Sequence, residues 1–124
     1  MKHVLVVDDS ATLRASVNFT LKNADIPAIN AENGQIGLDR LFEARKEGIQ
    51  IGMIIADINM PVMDGITFIK EVKKTPFKFM PILVLTTESQ QKMKMEGKEA
   101  GAAGWLVKPF KPEQLIYVIR KFMR

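Results

Sequence analysis

The segment VLVVDDS at residues 4–10 joins an apolar run to two adjacent acids and a serine. Four consecutive aliphatic residues predict a strand that is covered on both faces. The two carboxylates that follow, Asp8 and Asp9, repel each other, and burying either one as an anion is costly unless a cation or hydrogen-bond donors compensate for its charge. The sequence therefore predicts that a cation or a set of hydrogen-bond donors compensates these two acids.

Strand-like runs alternate with helix-like segments along all 124 residues. The predicted strands are His3 to Val7, a weaker one near Ile26 to Ala31, Met53 to Ala56, Ile82 to Leu85, and Gly104 to Val107. Such alternation with short connections predicts a parallel sheet between two layers of helices, because right-handed crossovers leave few other topologies. In such sheets the ligand site lies beyond the carboxyl ends of the strands.

The predicted helices each carry one apolar stripe. The residues that form these stripes are Leu13, Val17 and Leu21, then Leu38 and Phe42, then Ile66 and Ile69, and finally Leu115 and Ile119. Helix starts are predicted near Ala11, at Asn33-Gly34, at Asp64-Gly65 and at Pro112. The whole pattern predicts five βα units in a single α/β domain over residues 1–124.

Composition narrows the class of protein. With 47% hydrophobic and 26% charged residues, the chain is typical of a globular protein. The absence of cysteine excludes disulfides, thiolate metal sites and cysteine nucleophiles. The first residues show no signal-peptide pattern, and no apolar run approaches the roughly 18 residues that a membrane span needs. We therefore expect a cytoplasmic protein without a membrane partner.

Positive charge is concentrated near the C-terminus, where eight Lys or Arg stand against three Glu from Gln91 onward. Such a run usually keeps a helical surface solvated, and the alternative interpretation is a basic docking face for an acidic partner. The basic residues are not arranged in a known nucleic-acid motif with interleaved aromatics, so nucleic acid is not the expected partner.

Reactive side chains stand where the predicted strands end. They are Asp8 and Asp9, Asp57, Thr86 and Thr87, and Lys108, which precedes Pro109. Three carboxylates without a nearby thiol or imidazole favour Mg²⁺, which retains water and takes phosphate oxygens as further ligands. A carboxylate such as Asp57 is a competent nucleophile toward phosphorus. Neither a GxxxxGK[ST] loop nor a GxGxxG turn is present, so no nucleotide cradle is predicted.

Four motifs follow one another along the chain: VVDDS at 6–10, DINMPVMDG at 57–65, LTTE at 85–88 and KPF at 108–110. Together they resemble the receiver domain of bacterial two-component response regulators, and within that family most closely the CheY-like single-domain chemotaxis regulators. The resemblance implies a flavodoxin-like (βα)5 three-layer sandwich with the parallel strand order 2-1-3-4-5. It also implies one receiver domain over residues 1–124 without an output domain.

The resemblance implies a role for each site residue. Asp57 is the implied phosphoacceptor, which takes its phosphoryl group from a phosphohistidine of a sensor histidine kinase. The implied Mg²⁺ ligands are Asp9, Asp57 and the main-chain carbonyl of Asn59, with Asp8 acting chiefly through metal-bound water. Lys108 pairs with the phosphoryl oxygens, and Thr86 hydrogen-bonds to one of them. The protein is then not an enzyme in the usual sense, since it catalyses only its own phosphorylation and dephosphorylation.

Three further expectations come from the same resemblance. Trp105 falls at the aromatic position that changes rotamer when Thr86 moves, although Tyr or Phe is usual there. Asn59 and Glu88 stand where residues tune the lifetime of the acyl phosphate, and they predict a short-lived phosphoryl state. The bond between Lys108 and Pro109 is expected to be cis.

The expected partners are a sensor histidine kinase and a downstream protein, for example a flagellar motor switch protein. The latter would bind the face of the fourth helix, fifth strand and fifth helix, where Lys92, Lys94, Lys98 and Lys111 lie. The protein is expected to be a monomer. Two alternatives remain: a Mg²⁺-dependent phosphohydrolase of the haloacid-dehalogenase type, and a stand-alone receiver that serves another pathway or is never phosphorylated. His3, the single histidine, is expected to be structural.

Overall fold

The computed structural model describes residues 1–123 as five parallel strands with helices on both faces of the sheet. The elements in chain order are β1 (His3–Val7), α1 (Ala11–Asn23), β2 (Ala28–Ala31), α2 (Gly34–Lys46), β3 (Ile51–Ala56), α3 (Gly65–Val72), β4 (Ile82–Thr86), α4 (Gln91–Ala100), β5 (Gly104–Val107) and α5 (Pro112–Phe122). The strand order is β2-β1-β3-β4-β5, so the predicted flavodoxin-like fold is confirmed.

The sheet separates two hydrophobic cores, because successive side chains of a strand point to opposite faces. Leu5 and Val7 of β1 join the core under α2, α3 and α4, whereas Val4 and Val6 join the core under α1 and α5. All four of these side chains are buried, as expected for a strand covered on both faces. Fully burying one aliphatic side chain of this size stabilises the fold by about 1.5–3 kcal/mol.

Two predicted strand boundaries are wrong at their starts. β2 begins at Ala28, not near Ile26, because Asp25 adopts a left-handed φ of 59° and the Ile26 amide donates to the Leu21 carbonyl. Ile26 therefore belongs to the turn that ends α1. β3 begins at Ile51, two residues before the predicted Met53. At its other end, β4 extends the prediction by one residue to Thr86.

The predicted apolar stripe of α2 is also shifted. Phe42 was expected in the core but is 47% exposed, whereas Leu41 and Ala44 are buried. The Phe42 ring instead meets Phe77 edge to face, with the ring centroids 5.2 Å apart. The stripes on the other helices are closer to prediction, with Val17, Leu21, Ile69, Leu115 and Ile119 buried in the two cores.

The predicted helix starts are confirmed and set the loops at the carboxyl edge of the sheet. The side chains of Ser10, Asn33 and Asp64 accept hydrogen bonds from the third residue of α1, α2 and α3 respectively, which satisfies amides that would otherwise lack a partner. Pro112 occupies the first turn of α5. Within residues 1–123, none of the helices has both the length and the apolar character needed to span a bilayer.

Candidate functional site

The carboxyl edge of the sheet brings together four of the predicted site residues. Asp8 follows β1 and Asp57 follows β3, two adjacent strands at the centre of the sheet. Lys108, directly after β5, donates from Nζ to Asp8 Oδ2 at 3.0 Å and to Asp57 Oδ2 at 2.9 Å. Asp9 joins them, and one carboxylate oxygen from each of the three acids lies within 4.8 Å of the others. Lys108 is therefore a cation partner of Asp8, the first of the two acids after β1, and of Asp57.

Asp8 is the most buried acid of the site, with 2% of its surface exposed. Its Oδ1 accepts a hydrogen bond of 2.8 Å from the Ser10 amide, and its main-chain carbonyl accepts one from the Arg14 guanidinium. Burial raises the pKa of Asp8 above its ordinary value of 3.8, although the hydrogen bonds from Ser10 and Lys108 and the charge of Lys108 oppose that rise. The burial cost is larger than the pairing gain, so ionised Asp8 lacks full compensation.

The two acidic partners of Lys108 raise the pKa of its ammonium group. Burial alone lowers the pKa of its ammonium group, but hydrogen bonds to Asp57 and Asp8 and the charges of both carboxylates outweigh that effect. The pKa of Lys108 therefore lies above its ordinary value of 10.5. The side chain is a permanent cation in the neutral range, shared between two acids.

Asp57 presents one carboxylate oxygen to the loop and one to Lys108. Its Oδ1 accepts a hydrogen bond of 2.6 Å from the next amide, that of Ile58, and 7% of the residue is exposed. The start of α3 packs against the backbone of Asp57, since a Cβ added to Gly65 would lie 2.0 Å from the Asp57 carbonyl oxygen. Only glycine fits there, and its amide donates to the Ile58 carbonyl at 2.7 Å. These contacts fix the orientation of the Asp57 backbone.

The loop between Asp57 and α3 contains a strained residue. Val62 has φ of 69°, and the Met63 amide donates to the Pro61 carbonyl at 2.7 Å, the pattern of a γ-turn. A β-branched residue at positive φ is a rare and costly conformation. Val62 is also 80% exposed, so no packing compensates for the strain. Asn59, in the same loop, is exposed.

Thr86 lies at the end of β4 and is fully buried. Its Oγ1 accepts a hydrogen bond of 3.2 Å from the Glu88 amide, and its carbonyl accepts one of 2.8 Å from the Lys108 amide. The hydroxyl therefore bonds to its own loop in this state, while its backbone holds the lysine loop in place. The bond between Lys108 and Pro109 is cis, as predicted.

Trp105 connects the loop after β4 to α4. The indole Nε1 donates to the Glu88 carbonyl at 3.0 Å, and the ring lies across Gly97 of α4, where an added Cβ would meet its Cζ3 at 2.7 Å. Thr86 and Trp105 thus bond to the amide and the carbonyl of the same residue, Glu88. A movement of this loop would therefore change the hydrogen bonds of both side chains.

The three acids form a set that suits a small divalent cation. Octahedral Mg²⁺ places its ligands at 2.0–2.1 Å, so opposite ligands lie about 4.2 Å apart, close to the 4.8 Å limit of the acid cluster. Asp8 and Asp57 are buried while Asp9 is exposed, which leaves one side open for water. Among residues 1–123, the Asp9 carboxylate has no hydrogen-bond partner, whereas both oxygens of Asp8 accept hydrogen bonds. Residues and ion therefore fit.

Three residues at the site were not singled out from the sequence. Gly97 carried a usable signal, since a glycine within a predicted helix often marks a close packing contact. Arg14 and Val62 carried none, because the contact of Arg14 with the Asp8 carbonyl and the φ of Val62 depend on how the loops fold. His3 lies in β1 as predicted, and its buried Nδ1 has no hydrogen-bond partner within the described residues.

The chain matches one family model, described as "Response regulator receiver domain", over residues 4–120. Among solved structures, the chemotaxis response regulator CheY4 of Vibrio cholerae is 44% identical, with 98% of each chain covered and a TM-score of 0.88. The alignment therefore covers nearly the whole length of both proteins.

Two curated relatives are longer than this chain. Sensor histidine kinase CheAY of Helicobacter pylori is 37% identical over 123 residues, which are 98% of this chain and 15% of that protein. Transcriptional regulatory protein FixJ of Bradyrhizobium diazoefficiens is 33% identical over 122 residues, which are 98% of this chain and 57% of that protein. The chain thus spans only part of the length of these relatives, 15% of the first and 57% of the second.

Proposed function

The chain belongs to the response regulator receiver domain family, and from that premise we propose that it is a signalling switch operated by phosphorylation of Asp57. The observation that supports this most strongly is the shared ion pair of Lys108 with Asp8 and Asp57 at 3.0 and 2.9 Å. This ion pair places the Asp57 carboxylate, the nucleophile, beside an ammonium group that can pair with the oxygens of the transferred phosphoryl group. A sensor histidine kinase is the proposed phosphoryl donor.

The proposed transfer needs little covalent machinery. An Asp57 carboxylate oxygen attacks the phosphorus of a phosphohistidine, the P–N bond breaks, and its electron pair stays with the leaving imidazole nitrogen. An acyl phosphate then remains on Asp57. Lys108 already donates to Asp57 Oδ2, so a small shift of its ammonium group lets it pair with a phosphoryl oxygen. The Ile58 amide holds the other carboxylate oxygen and orients the nucleophile.

Asp9, Asp57 and the Asn59 carbonyl are the proposed Mg²⁺ ligands, with Asp8 bonding to metal-bound water. Bound Mg²⁺ supplies charge neutralisation for the carboxylates and for the transferred phosphoryl group. The free carboxylate of exposed Asp9 and the fully bonded one of Asp8 support this division between the two acids.

Phosphorylation is proposed to act through Thr86. A phosphoryl group on Asp57 adds acceptor oxygens. The Thr86 hydroxyl, whose oxygen accepts from the Glu88 amide, can donate its proton to one of them, which draws Thr86 and its loop toward Asp57. Because Trp105 bonds to the carbonyl of the same Glu88, movement of this loop changes how the indole lies on α4. The surface that changes is that of α4, β5 and α5, where Lys92, Lys94, Lys98 and Lys111 offer positive charge to a downstream protein.

Chemotaxis is the proposed pathway. Its support is the nearly full-length overlap with CheY4, whose description names chemotaxis. A single receiver domain over residues 1–124, a monomeric state, a cytoplasmic location and a flagellar motor switch protein as target are parts of the same proposal. A stand-alone receiver of another pathway is the alternative, and deletion of the gene separates the two by its effect on swimming behaviour in a gradient.

No observation favours the haloacid-dehalogenase alternative. Those enzymes carry their nucleophile after the first strand and a second Asp two residues later as general acid. Here the strongest nucleophile candidate, Asp57, follows β3, and position 59 is Asn. Multiple turnover of a generic phosphate ester by the purified protein is the result that would revive this function.

The direct test is the fluorescence of Trp105, the single tryptophan of the chain. Addition of Mg²⁺ and then beryllofluoride, a stable mimic of an acyl phosphate, is expected to change its emission. Asp57→Asn should remove the second change while leaving the fold intact. An unchanged emission in the folded wild-type protein would contradict the coupling of Asp57 to Trp105.

A further inference from the structure

A basic, partly aromatic cleft lies at the amino edge of the sheet, opposite Asp57. It has a volume of about 460 Å³, within the size range of small binding pockets. We name it the amino-edge cleft, and its principal lining residues are Lys2, Gly52, Phe77, Phe79, Lys121 and Phe122. They come from the starts of β1 and β3, the loop before β4, and the end of α5, so the folded sheet edge assembles the cleft.

The cleft has an exposed aromatic rim. Phe79 is 88% exposed and lines the cleft together with Phe77 and Phe122, and a contiguous apolar patch with a polar rim marks an interaction site. The Lys78 ammonium group lies 5.3 Å from the centre of the Phe79 ring, and that of Lys121 lies 5.7 Å from the centre of the Phe122 ring. These cation–π contacts hold two positive charges beside the opening.

Among the described residues that line the opening, the charged ones are all lysines. No Asp or Glu lines the cleft, and no ion pair among residues 1–123 involves Lys78 or Lys121. Lys121 lies in the last turn of α5, where a cation also offsets the helix dipole. Lys2 and Lys78 belong to no helix, so the helix dipole does not explain their presence.

Gly52 leaves room for two neighbouring side chains at the edge of the cleft. A Cβ added there would lie 2.9 Å from Lys2 Cδ and 2.7 Å from Met123 Cγ. The bare glycine thus allows both side chains to cross the start of β3, which places Lys2 in the cleft wall. Any larger residue at this position would have to displace them.

We propose that the amino-edge cleft binds an acidic peptide segment of a partner protein, with an aliphatic or aromatic side chain inserted against Phe77 and Phe79. Carboxylates that flank this anchor pair with Lys78 and Lys121. The concave apolar floor fits a protruding side chain rather than a flat bilayer, and the uniform positive charge selects acidic flanks. The cleft and the carboxyl-edge site lie at opposite ends of the strands, so both can be occupied together.

The test is an amide-resolved NMR titration with a short, terminally blocked peptide in which glutamates flank a central leucine and phenylalanine. The proposal predicts shifts confined to the cleft, around Gly52, Phe79 and Lys121, with equal affinity in the presence and absence of Mg²⁺ and beryllofluoride. A peptide with serines in place of the two apolar residues should bind more weakly, and one with lysines in place of the glutamates should not bind.

Matched variants identify the residues. Lys78→Glu with Lys121→Glu should weaken binding by about tenfold, whereas the control Lys22→Glu with Lys46→Glu changes the net charge equally, also at exposed positions, and should not. Phe79→Ser should weaken binding, and Phe19→Ser, which alters another exposed phenyl ring, should leave it unchanged.

Three results would overturn the proposal: shifts centred on the α4–β5 face, equal losses in test and control variants, or tighter binding of single-stranded DNA or anionic vesicles than of the peptide. These readouts need no phosphorylation, so a failure here leaves the role of Asp57 untouched, and a failure at Asp57 leaves this proposal intact.

Discussion

Lys108 Nζ lies 2.9 Å from Asp57 Oδ2, across a separation of 51 residues in the chain. The same nitrogen lies 3.0 Å from Asp8 Oδ2, so one ammonium group bridges the strands β1 and β3. This bridge has two opposite consequences. It compensates for buried negative charge in the ion-free protein, and it competes with any cation that seeks the same carboxylates.

Lys108→Met should therefore move two properties in opposite directions. Mg²⁺ should bind more tightly, because the variant removes a positive charge and frees an oxygen on each of Asp8 and Asp57. Phosphorylation by acetyl phosphate should slow by about a hundredfold, because the incoming phosphoryl oxygens lose their donor. Isothermal titration calorimetry measures the affinity for Mg²⁺, and the rate of phosphorylation by acetyl phosphate measures the second property. Weaker Mg²⁺ binding in a folded Lys108→Met protein would contradict this assignment of the lysine.

Asp8→Asn should stabilise the protein in the absence of Mg²⁺ at neutral pH. Burial raises the pKa of Asp8 above 3.8, so the folded state holds the proton more tightly than the unfolded state does. Stability is then lost as the pH rises from 3.8 through the folded pKa, and the cost is fully present above it. Asparagine does not ionise and avoids that cost.

The measurement for Asp8→Asn is urea unfolding with a chelator at several pH values. The advantage of the variant should shrink as the pH falls toward 3.8, where Asp8 is protonated in both states. Added Mg²⁺ should stabilise the wild-type protein more than the variant, since a ligand stabilises the state that binds it. A constant advantage at every pH would show that ionisation of Asp8 is not its cause.

Val62→Asn should raise the free energy of unfolding by about 1 kcal/mol, because asparagine tolerates a positive φ better than a β-branched residue does. The native φ of Val62 is 69° and its side chain is 80% exposed, so little packing is lost. Val107→Asn, at a partly exposed position within β5, is the control and should destabilise. Urea unfolding measures both, and a destabilised Val62→Asn would contradict the inferred strain.

Gly65→Ala and Gly48→Ala should differ in severity for different reasons. At Gly65 the new Cβ would lie 2.0 Å from the Asp57 carbonyl oxygen, so the backbone must move, at a cost of about 3 kcal/mol or more. At Gly48 nothing lies within 4 Å, but φ is 76°, and the conformational cost is about 1 kcal/mol. Only Gly65→Ala should also slow phosphorylation, and equal effects on both properties would refute this explanation.

Gly97→Ala should displace the indole of Trp105. The added Cβ would meet Cζ3 at 2.7 Å, and the ring must rotate away, which breaks its hydrogen bond to the Glu88 carbonyl. A shift in Trp105 emission without any phosphoryl donor is the expected result. The rate of Asp57 phosphorylation should change little, because Gly97 does not contact the carboxylates. An unchanged emission spectrum would show that the ring is not held against α4.

Much of the fold followed from local patterns in the sequence. The apolar run of β1 and the helix starts at Asn33 and Asp64 were predictable because their causes lie within a few residues of each other. The meeting of Lys108 with Asp57 was also predictable, since parallel strands end at the same edge of a sheet. These features depend on spacing and topology, and both are readable from the chain.

Other features depend on tertiary packing and were missed. The turn at Asp25 shortened β2, and the buried side of α2 turned out to be that of Leu41 and Ala44, because Phe42 pairs with Phe77 from a distant loop. The aromatic and basic rim around Phe79 was missed for the same reason. The lysines around the cleft, Lys2, Lys78 and Lys121, come from both ends and from the middle of the chain and meet only in the folded protein.

The central claim is that Asp57 accepts a phosphoryl group, and intact mass spectrometry tests it most directly. The protein is incubated with acetyl phosphate and Mg²⁺, beside an Asp57→Asn variant and a sample with chelator. The result we predict is the mass gain of a single phosphoryl group in the wild-type protein alone, lost within minutes after the donor is removed. A folded wild-type protein that gains no phosphoryl group, or an Asp57→Asn variant that gains one equally, would contradict the claim.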